Sequence, residues 1–164
     1  MAASASTGTC LILEAGPRPG RKLLLSGSGQ CNFTHDLELD EFLKRCGSYA
    51  RFLKPALFIL SPAKLVGHLE SLGCPSITRP DGKVFPASFK ASDVLGALLR
   101  GALKPDNRLI HSARVSQVKV DQGFILTDEQ NREYRCRKLI IATGGASWPQ
   151  TGSDGSGYEL ARQL

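Results

Sequence analysis

The sequence predicts a three-layer α/β fold in which a parallel sheet is combined with an antiparallel meander and a mostly helical insertion. Two short apolar runs, at 11–13 and 139–142, lack the polar alternation of a half-exposed strand and are therefore typical of buried parallel strands. Apolar residues with helical spacing occupy the stretch 36–107. Closely spaced strand and turn patterns follow from 108 to 136.

The first elements are short and are separated by glycine and proline. Residues 2–6 are interpreted as the last turns of a helix that Gly8 closes, because glycine enters the left-handed region without steric cost. The apolar run 11–13 then ends at Glu14. A loop with two prolines follows, and residues 23–25 lead into the Ser-Gly-Ser-Gly sequence at 26–29.

Three helices are expected within the inserted segment. Asp40 is predicted to cap a helix over 41–46, with Phe42 and Leu43 facing inward. Ser61 and Pro62 are expected to open a second helix that ends at Gly73, and a third is predicted over 91–103 with Ser88 or Ser92 near its cap. Each of the last two has an apolar stripe, formed by Leu65, Val66, Leu69 and Leu72 in one and by Val94, Leu95, Leu98 and Leu99 in the other.

The remaining pattern is mostly of strands. A turn and a short strand are predicted at 81–86, and a short apolar strand at 109–111. Val115, Val118 and Val120 precede the Asp121-Gln122-Gly123 turn, which predicts a hairpin with 124–127 and a third strand over 134–136. The run 139–142 leads into Thr143-Gly144-Gly145, and residues 158–164 begin a helix.

Composition narrows the classes of function. The 164 residues carry a net charge of +6, but the basic residues are scattered apart from Arg18, Arg21 and Lys22 beside the glycine-rich loop, so we expect neither a nucleic-acid nor a membrane partner. No apolar run approaches the roughly 20 residues that span a bilayer, and no secretory signal is present, which favours the cytoplasm. The five cysteines are dispersed and the three histidines share no ligand spacing, so we expect reduced thiols and no metal site.

Three features along the chain carry chemistry. A dinucleotide-binding unit places a carboxylate at the end of its second strand, where it accepts hydrogen bonds from ribose hydroxyls, and Glu14 fits that position. The glycines at 27 and 29 permit close approach of the backbone to a ligand, although the loop is not a P-loop. The Thr-Gly-Gly sequence follows an apolar run, as at the ligand edge of a parallel sheet. Each feature alone is also explained by an ordinary strand end or turn.

Longer motifs point to one family. The stretches GRKLLLSGSGQCNFTH, RFLKPALF, GKVFPASFKASDVLGALL and LIIATGGASWPQTGSDGSGY are distributed between residues 20 and 158. Together they resemble the YhiN-like, BaiN-type family of FAD-dependent flavoproteins, and the resemblance covers nearly the whole chain. The resemblance implies a glutathione-reductase-type FAD-binding domain in an oxidoreductase that acts on a small-molecule substrate, with NAD(P)H as a candidate electron donor. Some members are similar to reductases of unsaturated bile-acid intermediates.

The resemblance also implies a set of cofactor-binding residues, without identifying a catalytic one. Glu14 would hold the adenosine ribose, Arg21 and Lys22 would lie beside the cofactor, and the backbone of Val115 would contact the adenine. The flavin half would be lined by Ser26, Gly27, Gly29, Cys31 and Asn32. Thr143, Gly144 and Gly145 would close over the pyrophosphate side. Departures from the family pattern are Gln30 in place of Arg, His35 in place of Asn, and Asp154 and Ser156 in place of Thr and Asp.

The expected organisation is a partial FAD-binding domain at 1–35 and 108–164 with an inserted helical segment at 36–107. The phosphate-binding GxGxxG fingerprint should lie about 20 residues before Glu14, which is before Met1, so we expect a fragment that is incomplete at both ends. Two alternatives stay open. One is a non-catalytic fragment or interaction module that no longer binds FAD, and the other is a nicotinamide-binding domain, which does not explain the meander before Thr143.

Overall fold

The structure is a computed structural model that describes residue 3 and residues 8–164. The described chain divides into two compact units. We call residue 3 with 23–104 the helical unit, and 8–22 with 105–164 the strand unit. The helix end predicted at 2–6 lies outside the described residues except for Ala3, which is buried. The domain boundaries expected from the sequence stay a prediction.

Helices and strands of both units are short. The helices are α1 (Arg21–Leu25), α2 (Leu39–Arg45), α3 (Ala50–Ile59), α4 (Pro62–Ser71), α5 (Ala91–Ala102) and α6 (Ser156–Arg162). The strands are β1 (Leu11–Leu13), β2 (Thr34–His35), β3 (Ser76–Thr78), β4 (Lys83–Pro86), β5 (Arg108–Ile110), β6 (Val115–Val120), β7 (Phe124–Asp128) and β8 (Glu133–Cys136). Single 3-10 turns lie at Ser26–Gly29, Gly47–Tyr49 and Pro149–Thr151.

The helical unit packs α4 and α5 beside an antiparallel sheet in the order β2-β4-β3. Its core is a cluster of small and medium side chains, which are Cys31, Leu69, Cys74, Ala91, Val94 and Ala97. Alanine at 97 is completely buried, and Gly101 and Ala102 of the same helix are buried as well. Small residues on this face leave room for the larger leucines that pack against the cluster from the side.

The three predicted helices of this unit are all present, as α2, α4 and α5. α4 begins with Pro62 at its first turn, and the Ser61 hydroxyl accepts a hydrogen bond of 3.3 Å from the Lys64 amide, which satisfies one of the free donors of the first turn. α5 is confirmed over 91–102. The predicted Asp40 cap is wrong: the helix already begins at Leu39, Glu38 occupies the capping position, and Asp40 lies in the first turn, where its charge complements the helix dipole.

The strand unit contains a parallel pair and a meander. β1 and β5 pair in parallel with Ile12 opposite Leu109. β6, β7 and β8 form the antiparallel meander, with the predicted turn 121–123 between the first two. Val118 and Leu126 of the meander pack against Leu160 of α6. The Gln163 side chain completes this packing, because its oxygen accepts a hydrogen bond of 2.7 Å from the Val118 amide.

The α/β class is confirmed, but two details of the predicted parallel sheet are not. Residues 139–142 do not form a strand: no described strand pairs with them, and Ile140 is 70% exposed. Leu139 and Ile141 instead pack their side chains on the cluster around Val118, so the run is apolar because it covers the meander rather than because it lies within a sheet. β1 is parallel as predicted, although Leu11 is 41% exposed rather than buried.

Candidate functional site

The predicted cofactor-binding residues are distributed over both units. The strand unit holds Glu14, Arg21, Lys22, Val115, Thr143, Gly144 and Gly145. The helical unit holds Ser26, Gly27, Gly29, Cys31 and Asn32. Each group is described within its own unit.

Glu14 lies directly after β1, and its carboxylate is held by the turn that follows. Oε1 accepts a hydrogen bond of 2.7 Å from the Gly16 amide. The Glu14 carbonyl accepts from the amide of the buried Ala113, and the Gly16 carbonyl accepts from Ser112, so β1 and the segment after β5 are joined beyond their strands. Among the described residues no hydrogen bond is found to Oε2. The structure therefore places an ordered carboxylate directly after a strand, and its role at a ribose stays a prediction.

The Thr143-Gly144-Gly145 segment packs against the loop that leads into α6. Gly144 has a φ of +82°, and a Cβ added there would lie 2.9 Å from the hydroxyl oxygen of Ser153. The same hydroxyl is 3.2 Å from Nζ of Lys22. Ser153 is buried, so it connects a cation of the first turn of α1 to the backbone of the glycine segment. Lys22 and Gly144 thus both lie beside Ser153, a residue that no sequence motif singled out.

The neighbouring positions of this segment are equally tight. Gly155, with a φ of +85°, donates its amide to the Gly145 carbonyl at 3.2 Å. A Cβ on Gly157 would collide with the Thr143 hydroxyl. Two glycine-rich segments therefore lie against each other, and side chains are excluded on both sides of the contact.

No hydrogen bond or ion pair between described residues joins Arg21 or Val115 to this arrangement. The Arg21 side chain is exposed in α1. Val115 is the first residue of β6, pairs with Asp128 and packs on the meander cluster. The register of the β6–β7 pair shifts between Val115 and Gln117, which marks a bulge at the position expected to contact the adenine.

In the helical unit the Ser26–Gly29 turn, which we call the glycine loop, has a left-handed backbone at three consecutive positions. The φ angles are +55° at Gly27, +55° at Ser28 and +85° at Gly29. Amides of the next two residues close the loop, because Gln30 donates to the Gly27 carbonyl at 3.1 Å and Cys31 donates to the Ser26 carbonyl at 3.0 Å. A Cβ on Gly27 would lie 3.0 Å from the backbone nitrogen of Asn32, so a larger residue at this positive φ would be strained.

The two residues after Gln30 face different surroundings. The Cys31 thiol side chain is buried in the core between α4 and α5, so it would contribute to a site through its backbone. With its nitrogen facing them, the Asn32 amide donates to the carbonyls of Thr34 at 2.8 Å and Val84 at 3.1 Å. Asn32 therefore fixes the glycine loop to the β2–β4 pair.

Arg79, which lies after β3, contacts the residue that follows the glycine loop, although no sequence motif singled it out. Its Nη2 donates a hydrogen bond of 2.9 Å to Oε1 of Gln30, across 49 residues of sequence. The guanidinium carbon lies 4.2 Å from the centre of the Phe85 ring and 5.0 Å from that of Phe89. Gln30 in place of the family's arginine therefore does not leave the glycine loop without a neighbouring cation. No local pattern could have revealed this pair.

Asp154, a departure from the family pattern, has a defined role in the strand unit. Its carboxylate accepts a hydrogen bond from Ser156 at the start of α6 and forms an ion pair of 2.8 Å with Arg114. The hydrogen bonds from Ser156 and then Arg114 lower the pKa of Asp154 to about 2. The group is therefore ionised at neutral pH and holds α6 to the segment before β6.

The described side chains offer binding groups rather than a nucleophile or an acid–base pair. Burial raises the pKa of the thiols of Cys74 and Cys136, which makes both poor nucleophiles. No group of three potential metal ligands is found in the part of the chain that the structure describes. A carboxylate, a lysine and two glycine segments suit a ligand that carries a ribose and phosphates. No helix among the described residues is both long and apolar enough to cross a bilayer.

Known proteins that are similar to this chain include two named for ribosomal RNA and one named for a bile acid. The chain is 31% identical over 156 residues to a ribosomal RNA dihydrouridine synthase of Escherichia coli strain K12, covering 94% of this chain and 38% of that protein. It is 30% identical over 167 residues to a 3-dehydro-bile acid delta(4,6)-reductase of Clostridium scindens, covering 100% of this chain and 40% of the reductase. A ribosomal RNA dihydrouridine synthase of Haemophilus influenzae is 28% identical over 159 residues, covering 93% and 38%.

The chain thus spans about two fifths of the length of these relatives. The family model described as the HI0933-like protein Rossmann domain matches residues 1–164, which is the whole chain. This chain therefore belongs to the HI0933-like Rossmann domain family.

Proposed function

We propose that this chain is the cofactor-binding part of an FAD-dependent oxidoreductase. The observation that carries the proposal is the crowding at Gly144 and Gly27, where a Cβ would lie 2.9 Å from Ser153 and 3.0 Å from Asn32. Neighbouring protein atoms and a positive φ thus favour glycine at both positions, and both glycines belong to motifs that resemble those of the flavoprotein family. Glu14 would bind the adenosine ribose, and Lys22 with residues 143–145 would bind the pyrophosphate side.

The remaining predicted residues complete this assignment. The glycine loop would contact the flavin through the backbone of Gly27 and Gly29, with Ser26, Cys31 and Asn32 holding its shape. The Ser26 hydroxyl already donates to the Leu23 carbonyl at 2.7 Å, so its role would be to fix the loop. Bound FAD would supply the redox chemistry, while the protein would supply binding, orientation and electrostatics.

We further propose that the reaction is the reduction of a carbon–carbon double bond. The names of two relatives support this class, because one describes the formation of dihydrouridine and the other a delta(4,6)-reductase. A small unsaturated molecule is the first candidate substrate, with NAD(P)H as the electron donor and a cytoplasmic location. Bound FAD would supply the hydride chemistry between donor and substrate, and the net reaction would add a hydride and a proton to the two carbons of the double bond.

Although the scattered basic residues of the sequence predict no nucleic-acid partner, the surface of α3 makes RNA the second candidate substrate. Residues 42–69 contain five Lys or Arg and no Asp or Glu. Phe52 is 83% exposed on α3, between the exposed side chains of Arg51 and Lys54, and Tyr49 is exposed one turn earlier. Cations that neutralise phosphates and aromatic rings that stack on bases are the usual elements of single-strand binding.

The full-length protein, purified and supplied with NAD(P)H without oxygen, tests the reaction and separates the two substrates. We expect a 3-keto steroid with conjugated double bonds, or a uridine-containing ribosomal RNA transcript, to reoxidise the reduced flavin and to gain two hydrogens by mass. Arg51→Gln with Lys54→Gln should weaken only the RNA reaction, and Lys119→Gln, on the solvent side of β6, serves as the matched control. Failure of an FAD-loaded protein to reduce any conjugated alkene would contradict the proposed reaction.

A further inference from the structure

The guanidinium of Arg79 lies beside the glycine loop with most of its donors unused. One of its five N–H groups bonds to Gln30, the residue that follows the loop. Among the described residues, no hydrogen bond is found from Nε or Nη1 of Arg79. The side chain is only partly exposed, so these donors face a limited space.

Two aromatic rings fix the position of this cation. Phe85 is buried and lies 4.2 Å from the guanidinium carbon, while Phe89 lies 5.0 Å from it. The rings are 5.7 Å apart and inclined at 46°, so they form a corner around Arg79. Stacking of a cation on aromatic faces in a partly desolvated place is favourable and also restricts the side chain.

The same Phe85 ring supports the glycine loop. A Cβ on Gly27 would be 3.8 Å from Cε1 of Phe85, so the ring lies directly against the loop backbone. Arg79 itself is anchored at its own backbone, because its amide donates to the Lys83 carbonyl at 2.9 Å and its carbonyl accepts from Gly82 at 2.8 Å. Loop, ring and cation therefore form one preorganised surface within the helical unit.

We propose that Arg79 is a cofactor-binding residue that stabilises negative charge on the reduced flavin. This rests on the proposed function, in which the glycine loop contacts the flavin. A two-electron-reduced flavin that carries an extra negative charge is favoured by a fixed cation nearby, and charge close to the ring is one of the means by which proteins tune a flavin. Arginine suits the task because its planar, permanently charged group can stack and donate at once.

The test measures the midpoint potential and FAD affinity of the full-length protein and of three variants. Arg79→Gln should lower the potential by about 30 mV, which corresponds to tenfold weaker stabilisation of the reduced state in a two-electron couple. Adding Gln30→Arg to Arg79→Gln returns a cation to within one hydrogen bond of the original and should restore most of the potential. Arg100→Gln should leave the potential unchanged, because it removes a guanidinium whose hydrogen bonds to described residues all go to the carbonyls of Leu72 and Gly73.

If Arg79 had only a structural role, its replacement would leave the midpoint potential of the bound FAD unchanged. Arg79→Gln that retains FAD with an unchanged potential overturns the inference. If Arg79→Gln does not fold, Gln30→Arg in the wild-type background replaces it: the added cation should raise the potential, and no change would overturn the inference. A wild-type protein that holds no flavin overturns the proposed function itself, which distinguishes that failure from failure of the Arg79 assignment alone.

Discussion

At the scale of single residues, Gly144 shows how a left-handed backbone and a close neighbour combine. Its φ is +82° and the Ser153 hydroxyl occupies the place where a Cβ would point. Gly152 has a similar φ of +89° but no atom within 4 Å of its missing Cβ. The two glycines therefore separate backbone strain from crowding within the same unit.

We predict that Gly152→Ala lowers the free energy of unfolding by about 1–2 kcal/mol, the usual cost of a left-handed non-glycine residue. Gly144→Ala should lower the free energy of unfolding by about 1–3 kcal/mol more than Gly152→Ala does, because the added methyl group must displace Ser153. Urea denaturation of the full-length protein and both variants measures the difference. Equal losses of unfolding free energy in the two variants would show that Ser153 moves away from the added methyl group without a cost in free energy.

Asp128 is the most buried carboxylate among the described residues and closes the turn between β7 and β8. It accepts hydrogen bonds from the amides of Gln130 and Arg132, from Nε of Arg132 and from the Tyr134 hydroxyl. Burial alone would raise the pKa of Asp128, but these hydrogen bonds outweigh it and bring the pKa to about 2. The ionised carboxylate is thus part of the folded meander.

Because the pKa of Asp128 is lower in the folded than in the unfolded chain, its contribution to stability is present above about pH 4 and is lost as the pH falls towards about 2. We predict that Asp128→Asn lowers the unfolding temperature at neutral pH and reduces the further drop between pH 4 and about 2. Thermal unfolding across this range checks both effects, with Glu133→Gln on the exposed side of β8 as the control. An acid-induced drop of the same size in Asp128→Asn would refute the assignment.

At the scale of elements, helices with a complete local pattern were predictable and those without one were not. α4 has a cap, a first-turn proline and an apolar stripe within a dozen residues, so its start was found from the sequence. α3 has Pro55 in its interior and no acidic first turn or capping side chain, which left its region without a defined prediction. Residues 139–142 were misassigned because a short apolar run looks the same whether it enters a sheet or covers one.

The cap of α4 provides the prediction at this scale. Ser61→Ala removes the acceptor of the Lys64 amide and should lower the free energy of unfolding by about 1 kcal/mol. Ser61→Asp keeps an acceptor at the same position and adds a charge that the helix dipole favours, so it should be close to wild type. Chemical denaturation compares the three proteins. If Ser61→Asp loses as much unfolding free energy as Ser61→Ala, the Ser61 hydroxyl does not stabilise α4 as its cap.

At the scale of the whole molecule, the motifs predicted the family and the α/β class, while the contacts between distant residues had to come from the structure. Lys22 and Ser153 are 131 residues apart, and Arg79 and Gln30 are 49 apart. Neither pair follows from periodicity or spacing, because both depend on how loops pack. The place of Glu14 directly after a strand was predictable from the sequence, whereas the hydrogen bond that its carboxylate accepts from the Gly16 amide depends on the geometry of the turn.

The absorbance spectrum and cofactor content of the full-length protein test the central claim most directly. The account predicts a yellow protein with one FAD per chain, released on denaturation and identified by mass and fluorescence. It also predicts that Lys22→Gln weakens rebinding of FAD to the apoprotein, because the cation beside Ser153 is lost. A colourless protein that binds no added FAD would contradict the account.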